Sequence, residues 1–98
     1  MDKEKLLIIE DDEELRTQMK WALAQDFEVV LAGDRAGAVH LMRKERPWVV
    51  TLDLGLPPAP AGVEEGFAAL ADLLNENPKV KIIIITGRSE KEHALRAV

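Results

Sequence analysis

Carboxylates gather where two apolar runs of this 98-residue chain stop. Leu6-Leu7-Ile8-Ile9 ends in Glu10-Asp11-Asp12, and Val49-Val50-Thr51-Leu52 ends in Asp53. A third run, Val80 to Ile85, ends in the hydroxyl of Thr86. Carboxylates brought within a few ångströms disfavour one another's ionisation, and a hard divalent cation removes the conflict. An all-oxygen donor set with no His or Cys nearby suits Mg²⁺, which keeps several waters and leaves positions for phosphate oxygens. In such a pocket a carboxylate can attack phosphorus and form an acyl phosphate.

Each group alone has a plainer reading. The acidic run fits the charged start of a solvated helix, Asp53 fits a turn after a strand, and Thr86 fits a β-branched strand end. What favours chemistry is the joint arrangement: polar groups at three strand ends, each preceded by apolar residues.

The elements that would position these groups follow from spacing. Leu6 to Ile9 is too short for an ordinary helix and reads as a strand buried on both faces. Leu15, Met19, Ala22 and Leu23 recur at helical spacing, predicting a helix from Glu13 to about Gln25 with acids in its first turn. Phe27 to Leu31 reads as a strand. Asp34 is the expected N-cap of a helix carrying Ala38, Leu41 and Met42, which Pro47 closes. Val49 to Leu52 is a buried strand ending at Asp53, and the Pro- and Gly-containing stretch Leu54 to Glu65 is a loop. Phe67, Leu70, Leu73 and Leu74 predict a helix from Gly66 to Asn77, followed by a strand from Val80 to Ile85. Ser89 could cap a last helix, Glu90 to at least Ala97. Alternation of buried strands with helices demands a parallel sheet covered on both faces, and in such sheets ligands bind beyond the carboxyl ends of the strands, where the strand order reverses.

Composition narrows the functional classes. At 10.9 kDa the chain holds one core, and 47% hydrophobic residues place it with folded domains rather than disordered tails. The net charge of −5 and the scattered basic residues give no phosphate-backbone footprint, so direct nucleic-acid binding by this segment is not expected. The absence of cysteine excludes disulfides and thiolate chemistry. No apolar run is long enough for a membrane span, and a cytoplasmic location is the expectation.

Taken together, Ile8-Ile9-Glu10-Asp11-Asp12, then Leu15-Arg16, then Leu52-Asp53-Leu54-Gly55-Leu56-Pro57, then Ile84-Ile85-Thr86-Gly87 resemble the receiver domains of bacterial two-component response regulators across nearly the whole chain. The resemblance implies an α/β doubly wound parallel sheet, flavodoxin-like (CheY-like), with strand order 2-1-3-4. It implies that Asp53 is the phospho-acceptor and that Asp11 and Asp53 ligate Mg²⁺. Glu10 would act mainly through bound water, the Gly55 carbonyl would supply a further ligand, and the Thr86 hydroxyl would sense the phosphate. The implied partner is a sensor histidine kinase, with output domains beyond this segment that bind DNA. The motif Thr51 to Pro58 and the long loop after it look most like the receivers of NtrC-class regulators associated with PEP-CTERM and exopolysaccharide systems.

Two departures from the family pattern stand out. The segment from Pro57 to Gly66 is longer than usual and carries three prolines. The fifth strand, its lysine and aromatic switch residue, and the fifth helix are not in this chain, so residues 1–98 are expected to be a receiver domain incomplete at its C-terminus. Strand four would then be an edge open to a second copy of the chain. Competing readings are a pseudo-receiver that binds partners without phosphorylation, an aspartyl-nucleophile phosphatase, and a flavodoxin-like nucleotide binder. The phosphatase would want a second Asp at Gly55, and the nucleotide binder would want a Gly-rich first loop. Trp21 and Trp48 are expected to pack against the scaffold, and His40 and His93 to lie on the surface.

Overall fold

The computed structural model describes residues 3–58 and 62–85. Among them run β1 (Glu4–Ile9), α1 (Glu13–Leu23), β2 (Phe27–Ala32), α2 (Arg35–Glu45), β3 (Val49–Asp53), α3 (Glu64–Glu76) and β4 (Lys81–Ile85). The strands form one parallel sheet in the order β2-β1-β3-β4, as expected from the sequence. The predicted last helix, Ser89 and His93 lie outside the described residues.

β1 sits between β2 and β3, and Leu6, Leu7, Ile8 and Ile9 are all at most 2% exposed, so both faces of this strand are covered. Leu7 and Ile9 point to the same side as Val50 and Leu52, where they pack with Ala38 and Met42 of α2 and Ala69 and Leu73 of α3. Leu6 and Ile8 point to the other side, where α1 makes its contacts with β1 and β2. No residue of α1 is fully buried, so this helix covers its face more loosely than α2 and α3 cover theirs.

The caps explain where the helices begin and end. Asp12 accepts from the Leu15 amide and Asp34 from the Gly37 amide, each satisfying one of the orphan donors of a first turn. α2 stops at Arg46, which adopts the left-handed conformation (φ 48°, ψ 55°), and the buried Pro47 follows. α3 starts at Glu64, two residues before the expected Gly66, because no Ser, Thr, Asp or Asn marks its N-terminus: Val63 holds the cap position without a side-chain bond. Gly66 is instead a packing residue in the first turn. A Cβ there would overlap the main chain of Leu54, so glycine lets α3 lie directly against the segment that follows Asp53. Ion pairs from Arg35 to Asp72 (2.6 Å) and Glu65 (3.3 Å), and from Arg43 to Glu76 (2.6 Å), tie α2 to α3.

Two expectations about aromatic residues fail. Trp21 is 76% exposed and Trp48 57% exposed, so neither packs as predicted. Trp21 falls on the outer face of α1, and Trp48 lies one residue before the first paired residue of β3. β4 is the last strand of the described sheet, with Ile83 55% and Ile84 45% exposed. His40 is exposed, as expected.

Candidate phosphoryl-transfer and metal site

The parallel sheet places the carboxyl ends of β1 and β3 side by side, with Ile9 paired to Leu52. The residues that follow this pair, Glu10 and Asp53, therefore emerge together at the point where strand order reverses. Glu10 is 3% and Asp53 6% exposed, and Asp11 is half-buried. One carboxylate oxygen from each of the three lies within 4.8 Å of the others. Both turns are pinned by backbone-to-carboxylate hydrogen bonds. The Asp12 amide donates to Glu10 Oε2 (3.2 Å), and the buried Gly55 amide donates to Asp53 Oδ1 (3.0 Å). The segment after Asp53 is anchored by the buried side chains of Leu54 and Leu56 and by a Leu56 amide bond to the Leu54 carbonyl.

The electrostatics follow from crowding. Burial pushes the Glu10 carboxyl from 4.5 up to about 8, and hydrogen bonds and charge repulsion from Asp53 and Asp11 push the same way. Without a cation, burial and crowding therefore favour the protonated form of Glu10. The donor chemistry fits a hard divalent ion: three convergent carboxylate oxygens, no imidazole or thiolate among them, and one group whose ionisation waits for a compensating positive charge. Bound there, Mg²⁺ would neutralise the carboxylates and the charge on a transferring phosphoryl group.

Of the residues singled out in the sequence, Glu10, Asp11 and Asp53 converge, and Gly55 sits beside them with its amide on Asp53. Thr86 lies outside the described residues. Asp12, the third acid of the Glu10-Asp11-Asp12 run, caps α1. Two contributors to the site's frame had no assigned role in the sequence. The Nη1 of Arg16 donates to the Glu10 carbonyl (2.8 Å), and Gly33 lies against the Arg16 guanidinium. The sequence marks Arg16 only as a cation six residues after the first acid, which does not show what it reaches. Thr51 Oγ1, on the same face of β3 as Asp53, is buried without a hydrogen-bond partner among the described residues.

The chain matches the response regulator receiver domain family over residues 6–98. It is 29% identical over 97 residues to protein CcdB of Bacillus subtilis, spanning 96% of this chain and 76% of CcdB. It is 30% identical over 95 residues to the transcriptional regulatory protein KdpE of Staphylococcus aureus, spanning 96% of this chain but 38% of KdpE. Its structure resembles the non-phosphorylated HemR receiver domain of Leptospira biflexa with a TM-score of 0.76 at 28% identity, covering 97% of this chain and 73% of that one. With that agreement over nearly its whole length, in fold and in sequence, the chain belongs to the response regulator receiver domain family.

Proposed function

We propose that this receiver domain is a phosphorylation switch whose acceptor is Asp53. The observation that carries the reading is the convergence of the Glu10, Asp11 and Asp53 carboxylates at adjoining ends of β1 and β3. In the transfer from a histidine kinase, an Asp53 carboxylate oxygen forms a bond to phosphorus while the P–N bond of the kinase's phosphohistidine breaks. The electron pair of that bond leaves with the imidazole nitrogen. Asp53 suits the attack because it is buried and held in one orientation by the Gly55 amide. Asp11 and Asp53 would hold Mg²⁺ directly, Glu10 through water, and the Gly55 carbonyl would complete the protein's share of the ligands.

The Thr86 hydroxyl, one residue past β4, would hydrogen-bond a phosphoryl oxygen and move with it, turning a local charge change into a surface change. The output is transcriptional in this reading, supported by the regulators among its relatives. The kinase partner, DNA-binding output and cytoplasmic location belong to the same proposal. Among the described residues no helix is long and apolar enough to cross a membrane. The intact carboxylate trio supports this switch over a pseudo-receiver that binds partners without phosphorylation.

Treatment with acetyl phosphate, read by intact mass, tests the proposal. One phosphoryl group gained with Mg²⁺, and none with chelator or in Asp53→Asn, is the expected result. Equal labelling of Asp53→Asn would refute it.

A further inference from the structure

The turn that carries Glu10 and Asp11 is held by a cation that the transfer itself does not use. The Glu10 amide donates to the carbonyl of Ala32 (3.0 Å), the last β2 residue in register with β1. Beyond Ala32 the chain leaves the sheet for the N-cap of α2, so β2 offers no next amide to the Glu10 carbonyl. A main-chain carbonyl in such a place needs another donor, and Arg16 Nη1 supplies it at 2.8 Å from the second turn of α1. The guanidinium occupies space that exists because residue 33 is glycine: a Cβ on Gly33 would stand 2.7 Å from Arg16 Nη1. No described glycine has positive φ, so the requirement at position 33 is room, not backbone freedom.

We propose that Arg16 is a positioning residue of the metal and phosphoryl site, fixing the Glu10 main chain so that the Glu10 and Asp11 carboxylates stay aimed at Asp53, with Gly33 as the seat its guanidinium requires. This rests on reading the pocket as a divalent-cation site. Two effects of Arg16 on a bound cation have opposite signs, which makes the proposal decidable. As a charge alone, Arg16 repels Mg²⁺, and its removal would tighten binding. As a positioning group it holds the ligands in register, and its removal weakens binding. Losing an outer partner that orients metal ligands weakens affinity by roughly tenfold or more.

Gly33→Ala separates the two without touching charge. The added methyl meets the far end of a flexible side chain, so the guanidinium moves while the backbone is undisturbed. The test is calorimetric titration of wild type, Arg16→Ala and Gly33→Ala with Mg²⁺ at neutral pH, alongside metal-free thermal melts. The proposal expects both variants to bind Mg²⁺ roughly tenfold more weakly than wild type, with Gly33→Ala melting close to wild type. If Arg16→Ala does not fold, Gly33→Ala decides alone. Variants that bind as tightly as a wild type that binds, or more tightly, overturn the positioning role and leave the metal site standing. A wild type that binds no Mg²⁺ overturns the metal site, and this role with it.

Discussion

Replacing Glu10 by Gln should leave stability little changed in acid and raise it at alkaline pH in metal-free protein. Burial and the neighbouring Asp53 and Asp11 raise the Glu10 carboxyl from 4.5 to about 8. A group whose folded value is raised contributes stability that is fully present below 4.5 and is lost as pH rises through about 8. At about 1.4 kcal/mol per pH unit, that interval is worth on the order of 5 kcal/mol. This is an upper bound, because water reaches the half-buried Asp11 side of the pocket. Even half of it is large against a total of roughly 5–15 kcal/mol for a small domain. Glutamine is neutral throughout, can still accept the Asp12 amide, and offers Asp53 and Asp11 a donor in place of the carboxyl proton.

Wild type and Glu10→Gln should therefore unfold at similar urea concentrations near pH 5, and the variant should be more stable by a few kcal/mol near pH 8.5 with chelator present. Saturating Mg²⁺ should narrow or invert the difference, since a ligand at 100 times its Kd adds about 2.7 kcal/mol to the folded state that binds it. Circular dichroism is the suitable readout because Trp21 and Trp48 are largely exposed and report little on the core. Parallel pH profiles for the two proteins would show that the Glu10 carboxyl is not crowded as described.

Gly66→Ala should destabilise the fold by roughly 1–3 kcal/mol or more, because the methyl meets the rigid Leu54 backbone and not a movable side chain; urea unfolding equal to wild type would place α3 farther from that segment. Arg46→Gly should stabilise by about 1 kcal/mol, relieving the cost of a left-handed non-glycine residue at the end of α2, and a loss on thermal melting would contradict the cap. Asp34→Ala should cost about 1 kcal/mol through loss of the bond to the Gly37 amide, read in the same melts, with no effect on Mg²⁺ affinity.

Much of this architecture was legible because burial and hydrogen bonding leave local marks. Leu6 to Ile9 and Val49 to Leu52 read as buried strands since an uninterrupted apolar run that short has few other uses, and Asp34 announced α2 through its side chain. α3 begins two residues before its apolar spacing indicates, where such a mark is missing: Val63 makes no side-chain cap, and Gly66 serves a contact with Leu54 that only the tertiary structure reveals. The tryptophans were misjudged because apolar area says how much a residue gains from burial, not whether a partner surface reaches it. The acids of the site were legible from their positions at strand ends, whereas Arg16 and Gly33 act through a main-chain carbonyl brought together by β1, β2 and α1, which no single stretch of sequence displays.

In the proposed switch the Asp53 carboxylate becomes an acyl phosphate beside a divalent cation. Borohydride reduction of the acetyl phosphate-treated protein converts an aspartyl phosphate to homoserine, which peptide mass spectrometry locates. Homoserine is expected at position 53 alone, formed only when Mg²⁺ was present. Homoserine at another aspartate, or at position 53 without any divalent ion, would contradict it.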